Sequence, residues 1–165
     1  LIYPVETQGG GATLPLPSPW LVVHIGAVFI GYGAFCLAAL AALLYLLQER
    51  ELKAKKLTFM HFSLPSLSAL DRLATSAIGL GFPAMTLGIV CGAVGSKQVW
   101  GSYFLWDPKM TFALCVWAFY GLCLFGRKRQ GWGGRRYAIL TLVGFFAVVF
   151  NYVGLSFVAD GLHRF

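Results

Sequence analysis

Four long apolar runs constrain this 165-residue chain more than any other feature of its sequence. A transmembrane helix needs about 20 predominantly apolar residues to cross roughly 30 Å of hydrocarbon. The runs cover about 21–47, 74–94, 108–125 and 137–157, and only 12% of the chain is charged, against about a quarter in soluble domains. The sequence therefore predicts an all-α, polytopic bundle of four transmembrane helices and excludes an ordinary cytosolic enzyme.

The positions of the charges predict how the spans are oriented. Ten of the thirteen Lys and Arg residues lie between runs one and two or between runs three and four: Arg50, Lys53, Lys55, Lys56, Arg72, Arg127, Lys128, Arg129, Arg135 and Arg136. By the positive-inside rule this side is cytoplasmic, which leaves Lys97, Lys109 and Arg164 outside. Because topology accounts for the net charge of +7, no nucleic-acid partner is needed to explain it.

With this topology, two histidines lie on the outer side. Residues 1–20 form an external N-terminal segment, residues 21–165 a transmembrane domain, and residues 95–107 an external loop. His24 begins the first span and His163 follows the fourth. Four crossings separate them, so both lie at the same membrane level. A single histidine at this depth usually reaches for lipid headgroups, but two beside an aromatic loop also suit ligand binding.

The external loop is unusually aromatic. It carries Trp100, Tyr103, Phe104 and Trp106 within seven residues. One aromatic residue at a membrane interface is an ordinary anchor, whereas four so close together form a surface. Asp107 precedes a proline, and this pair is typical of a helix start. Asp107 therefore has a purely structural interpretation beside a functional one.

A flat apolar ligand held by two axial histidines fits these features. Imidazole is a common ligand of haem iron, which makes His24 and His163 the candidate metal ligands. The aromatic loop would then cover the macrocycle, while Lys97, Lys109 or Arg164 would meet its propionates. Cysteines show no CxxC spacing and all lie in apolar runs, which predicts core or lipid-facing positions.

Three segments together resemble a known family. Residues 100–109, Trp-Gly-Ser-Tyr-Phe-Leu-Trp-Asp-Pro-Lys, resemble the tryptophan-rich WWD motif of haem-handling cytochrome c assembly proteins. The resemblance is closest to the CcsA (ResC) branch of the System II cytochrome c synthase. His24 in Leu-Val-Val-His-Ile resembles the first external histidine of that branch, and His163 in Gly-Leu-His resembles the second.

The resemblance implies a cofactor, partners and a location. It implies non-covalent haem b with bis-His iron, cradled by the loop and facing the periplasm or its equivalent. It also implies an integral protein of a bacterial inner membrane or a thylakoid membrane, in contact with lipid. A CcsB/ResB-like membrane partner would assist, and an apocytochrome c would supply the CxxCH thiols that add to the haem vinyl groups.

The sequence departs from the family pattern at three positions. Phe104 stands where the family usually has Trp, and Met110 where it usually has Glu. Phe125 lies where a histidine often serves a haem site nearer the cytoplasm, which puts haem uptake from that side in doubt.

Two other functions stay open from the sequence. One is a non-catalytic, HemX-like haem-binding protein that regulates haem synthesis. The other is a haem b subunit for electron transfer, which two axial histidines would serve equally well. Dependence on a CxxCH acceptor distinguishes a cytochrome c synthase component from both alternatives.

Overall fold

Four long helices make up the part of this protein that the structure describes. The computed structural model describes residues 18–55, 65–103 and 108–154. Helix α1 spans Pro19–Lys53, α2 Leu67–Trp100, α3 Pro108–Gln130 and α4 Gly134–Val149, and a π-helical segment, Phe150–Gly154, continues α4. All four helices are long and apolar enough to cross a membrane. The predicted all-α bundle of four spans is confirmed, and the described residues contain no strand.

Local sequence signals set the helix ends. Pro19 opens α1, a position that proline favours because its missing N–H would be unpaired there anyway. The backbone N–H of Ala69 donates to Oγ of Ser66 (3.3 Å) at the start of α2. At the other end, Gly101 adopts a φ of 75° and its N–H donates to the carbonyl of Lys97, as in many glycine-terminated helices. Helices α1 and α2 extend beyond both ends of the predicted spans, and α3 extends beyond the predicted C-terminal end.

Helices α1 and α2 run antiparallel in close contact along their lengths. Large side chains of one helix cover small residues of the other in a regular register: Trp20 on Gly95, His24 on Gly92, Val28 on Gly88, Met85 on Gly31 and Phe35 on Gly81. The GxxxG spacing of Gly88 and Gly92 in the sequence predicts such an approach, and the structure confirms it.

Aromatic rings fill the centre of the bundle. The ring of Phe35 stacks on that of Tyr120 with 4.0 Å between centroids, and both side chains are fully buried. A hydroxyl–carbonyl hydrogen bond of 3.4 Å links Tyr120 to Thr141 of α4. Trp117 stacks on Phe82 and donates its Nε1–H to Oγ1 of Thr86 at 2.8 Å. These contacts fix α3 against α1, α2 and α4.

The up-and-down order of the helices gives the bundle two chemically different ends. At one end, which we call the basic end, lie the C-termini of α1 and α3 and the N-termini of α2 and α4, with the described basic residues of the two connections. The opposite end, which we call the His24 end, carries His24, the C-terminus of α2 and the π-helical segment.

Candidate functional site

A backbone carbonyl orients the imidazole of His24. Its Nδ1 lies 2.7 Å from the carbonyl oxygen of Gly88, one turn of α2 from Gly92. A carbonyl can only accept, so Nδ1 carries the proton and donates. In a neutral imidazole, Nε2 then holds a lone pair. Histidines that bind metals nearly always donate their other ring N–H to such an acceptor, so this geometry would suit metal ligation through Nε2.

His24 lines a cavity of about 410 Å³ at its end of the bundle. All four spans contribute to the walls: His24, Val28 and Tyr32 from α1, Met85, Gly88, Ile89, Gly92 and Ser96 from α2, Met110, Ala113 and Leu114 from α3, and Asn151 and Tyr152 from the π-helical segment. We call this space the His24 cavity. Its volume and mostly apolar lining are typical of small-molecule sites.

Sequence reasoning missed the polar residues on the far wall of the His24 cavity. Asn151 lines this wall together with Tyr32; its side chain is only 2% exposed, and its Oδ1 has no hydrogen-bond partner. A polar residue inside an apolar span is a signal of function. Asn151 is the chain's only asparagine, so this signal is visible in the sequence.

The described part of the predicted external loop lies beside the His24 cavity. Ser96, which lines the cavity, donates its hydroxyl to the carbonyl of Ser102 at 2.9 Å. Lys97 donates to the Tyr103 hydroxyl at 2.7 Å, and its Nζ lies 4.0 Å from the centre of that ring. Tyr103 is 55% exposed. Residues 95–100 of the predicted loop thus continue α2, and residues 101–103 fold back beside the end of that helix.

Several predicted site residues fall outside the described part of the chain. Phe104, Trp106, Asp107 and His163 do so entirely. Trp100 ends α2 and Lys109 lies in the first turn of α3, but their side chains are also outside it. Helix α3 does begin at Pro108, as the Asp-Pro pair predicts. The roles proposed for the six residues whose side chains lie outside the described part stay predictions.

The strongest polar cluster lies at the basic end, far from His24. Asp71 of α2 forms a two-pronged ion pair with the guanidinium of Arg127 of α3. Asp71 also accepts the backbone N–H of Gly134 at 3.0 Å, and Arg127 donates to the carbonyl of Trp132 at 2.9 Å. This network ties the α3–α4 connection to α2. Asp71 and Arg127 are 56 residues apart, so no local sequence pattern predicts that they form a pair.

The cysteines have the structural positions expected of them. Cys36 and Cys115 are exposed on the bundle surface, Cys91 is half-buried, Cys123 is buried, and all four are free. Among the described residues, no group of three or more His, Cys, Asp or Glu side chains can hold a metal ion.

Comparison with known proteins identifies the family. The family described as Cytochrome C assembly protein matches residues 1–163. Cytochrome c biogenesis protein CcsA of Chlamydomonas reinhardtii is 37% identical over 98% of this chain and 45% of its own length. The CcsA proteins of Guillardia theta and Gloeobacter violaceus are 34% and 31% identical, covering 100% and 99% of this chain and 60% and 63% of their own lengths.

These relatives are longer than the chain described here, which spans between 45% and 63% of their length. No solved structure gives a significant match. The family match and the identities nevertheless extend over nearly the whole chain. We conclude that this integral membrane protein belongs to the cytochrome c assembly protein family and is of the CcsA type.

Proposed function

We propose that the chain serves cytochrome c biogenesis by holding haem at the His24 end of the bundle. One observation carries the proposal: the Gly88 carbonyl fixes the imidazole of His24 at 2.7 Å beside a 410 Å³ cavity. The donor set fits haem, because a neutral imidazole with a free Nε2 is an axial ligand of haem iron. His163 is the proposed second ligand.

The remaining predicted residues would bind and orient the macrocycle. Trp100, Trp106, Phe104 and Tyr103 would cover it, and Lys109, Asp107 and Lys97 would contribute polar contacts at its edge. Lys97 and Tyr103 already contact each other next to Ser96, which lines the His24 cavity, and this supports the arrangement. The protein's contribution is binding, orientation and exclusion of water.

The function we propose also needs two protein partners, an apocytochrome c and a CcsB/ResB-like membrane protein. Bound haem supplies vinyl groups, and the CxxCH thiols of an apocytochrome c add to them to form thioethers. A CcsB/ResB-like membrane protein would present the apocytochrome. We place the His24 end outside, in the periplasm or thylakoid lumen, because the basic end carries the positive charge.

The test is spectroscopic. Purified protein should carry haem with a low-spin, bis-His spectrum. His24→Ala and His163→Ala should each open a coordination position, and added imidazole should partly restore the parent spectrum because it replaces the missing ligand. His61→Ala is the matched control: the sequence places His61 between the first two spans, on the cytoplasmic side, so its loss should leave the spectrum unchanged. If both single variants keep the parent spectrum, the axial assignment is wrong.

A second experiment separates the synthase role from the other haem-binding roles. The protein is co-expressed with its partner and an apocytochrome that carries CxxCH, and covalent haem is scored on the acceptor. Covalent haem that is lost with His24→Ala supports a synthase component. Bound haem without any transfer supports a HemX-like protein or a haem b electron carrier.

A further inference from the structure

A second hollow adjoins the His24 cavity. It measures about 510 Å³ and lies on the flank of the bundle between α1 and α4. We call it the flank groove, and its lining includes Phe29, Gly33, Cys36, Phe145 and Val149. Three residues line both spaces: Val28, Tyr32 and Tyr152. The two hollows are therefore neighbours that share one wall.

Two aromatic rings form much of that wall. The rings of Tyr32 and Tyr152 meet edge to face, with 6.1 Å between centroids and 76° between planes. Tyr32 is half-buried, whereas Tyr152 is 59% exposed. Because both rings line both spaces, a change in the rotamer of Tyr152 would alter the wall that separates the flank groove from the His24 cavity.

The backbone beneath Tyr152 is irregular. Tyr152 belongs to the π-helical segment Phe150–Gly154, and single π-helical turns occur frequently at functional sites. The neighbouring Asn151 is buried, yet its Oδ1 has no partner in this arrangement. An unpaired buried acceptor is unfavourable. A rearrangement of this segment that gives Oδ1 a partner would therefore recover free energy, which offsets part of the cost of the movement.

The flank groove suits a flat, apolar ligand that arrives from within the membrane. Its walls are apolar apart from the two tyrosines, and Phe29 at its rim is 71% exposed. At Gly33 a methyl group would meet nothing within 4 Å, so the groove is open there. A ligand that partitions into the bilayer would reach this face without crossing water.

We propose that Tyr32 and Tyr152 form a lateral portal through which haem passes between the flank groove and the His24 cavity. The proposal rests on the proposed function, since it takes haem as the ligand of the His24 cavity. It adds a route: haem dissolved in the bilayer reaches His24 from the side of the bundle, between α1 and α4.

Closing the portal should slow haem uptake. Tyr32→Cys and Tyr152→Cys are combined after the four native cysteines are replaced, and a short, reversible bis-methanethiosulfonate reagent links the new pair. The protein is reconstituted in vesicles whose bilayer contains haemin, and uptake is followed by Soret absorbance. Crosslinking should slow uptake about tenfold, as expected for a closed gate, and a reducing agent should restore the rate.

Two controls separate gating from damage. The same reagent on Glu49→Cys/Lys53→Cys, an exposed pair at the basic end, should leave the rate unchanged. Haem bound before the portal is crosslinked should keep its spectrum. Independently, Tyr152→Ala should speed uptake severalfold by removing the ring, whereas Tyr152→Phe should take up haem more slowly than Tyr152→Ala because it keeps the ring of the edge-to-face contact.

The outcomes distinguish this proposal from the function on which it rests. If crosslinked and reduced proteins take up haem at the same rate, and Tyr152→Ala changes nothing, the portal is wrong while the haem site stands. If the parent protein binds no haem under any condition, the proposed function fails and the portal fails with it.

Discussion

The imidazole of His24 lies directly on the α-carbon of Gly92. A methyl group added there would come within 3.0 Å of Cε1 and 3.1 Å of Nδ1 of the ring. Helix α2 thus contributes twice to the position of His24: Gly88 accepts its proton, and Gly92 leaves space for the ring. Any side chain at position 92 must displace the imidazole or separate α1 from α2.

We therefore expect Gly92→Ala to weaken haem binding and to alter the haem spectrum. Overpacking of this kind typically costs about 1–3 kcal/mol, and here it acts on the proposed ligand. Haem content, the spectrum and the thermal midpoint in detergent measure the effect. Gly79→Ala is the matched control on the same helix, because a methyl group there meets nothing within 4 Å. Equal effects of the two substitutions would contradict the positioning role of Gly92.

The ion pair at the basic end should stabilise the fold without serving haem. Asp71→Asn removes one charge from a pair whose side chains are only 17% and 22% exposed and weakens the acceptor of the Gly134 N–H. We expect a loss of about 1–3 kcal/mol in unfolding free energy, with the haem spectrum unchanged. Lys53→Ala disrupts an exposed pair with Glu49 and should cost less than about 1 kcal/mol. A changed haem spectrum in Asp71→Asn would contradict this prediction, because it would show that the ion pair at the basic end affects the haem site at the other end.

The hydrogen bond between Trp117 and Thr86 offers a third measurement. Thr86→Val keeps the volume but removes the acceptor of the indole N–H, which lies 2.8 Å from Oγ1. Leaving a buried donor unpaired costs about 1–3 kcal/mol, so the thermal midpoint should fall and the Trp emission should shift. Thr86→Ser retains the hydroxyl and should preserve the emission maximum. Identical emission in Val and Ser variants would show that the bond does not form.

Sequence reasoning predicts the helices of this protein well because a bilayer demands long apolar runs. Each of the four predicted runs became a helix, and the spacing of Gly88 and Gly92 predicts the close contact of α1 with α2. The ends of α1 and α2 lie farther out because these helices continue past the hydrocarbon, where apolar character no longer marks them. This is why α2 begins at Leu67, well before the run that predicts it.

The candidate site is only partly accessible from sequence. His24 stands out by its type and position, but the acceptor of its proton is a backbone carbonyl 64 residues away, and every residue has a carbonyl. Likewise, the contact between Tyr32 and Tyr152 depends on how α1 packs on the end of α4. Such relationships arise from three-dimensional packing, which apolar periodicity does not encode.

The orientation of the bundle is open to a labelling experiment. Lys97→Cys and Lys128→Cys place single thiols on exposed residues at opposite ends, after the native cysteines are replaced. We expect an impermeant maleimide to reach position 97 in intact cells and position 128 only after permeabilisation. The reverse pattern would place the Trp-rich loop in the cytoplasm and contradict the proposed function.

Substitution of Phe125 by histidine tests whether this bundle can hold a second haem near the basic end. Its side chain is 56% exposed on the outer surface of α3, so no described helix encloses it. A histidine there would face outward, and the only histidine among the described residues, His24, lies at the opposite end. We expect Phe125→His to fold normally, within about 0.5 kcal/mol of the parent, and to leave the haem-to-protein ratio unchanged. A raised ratio would contradict this expectation, because it would show that ligands for a second haem are present near the basic end.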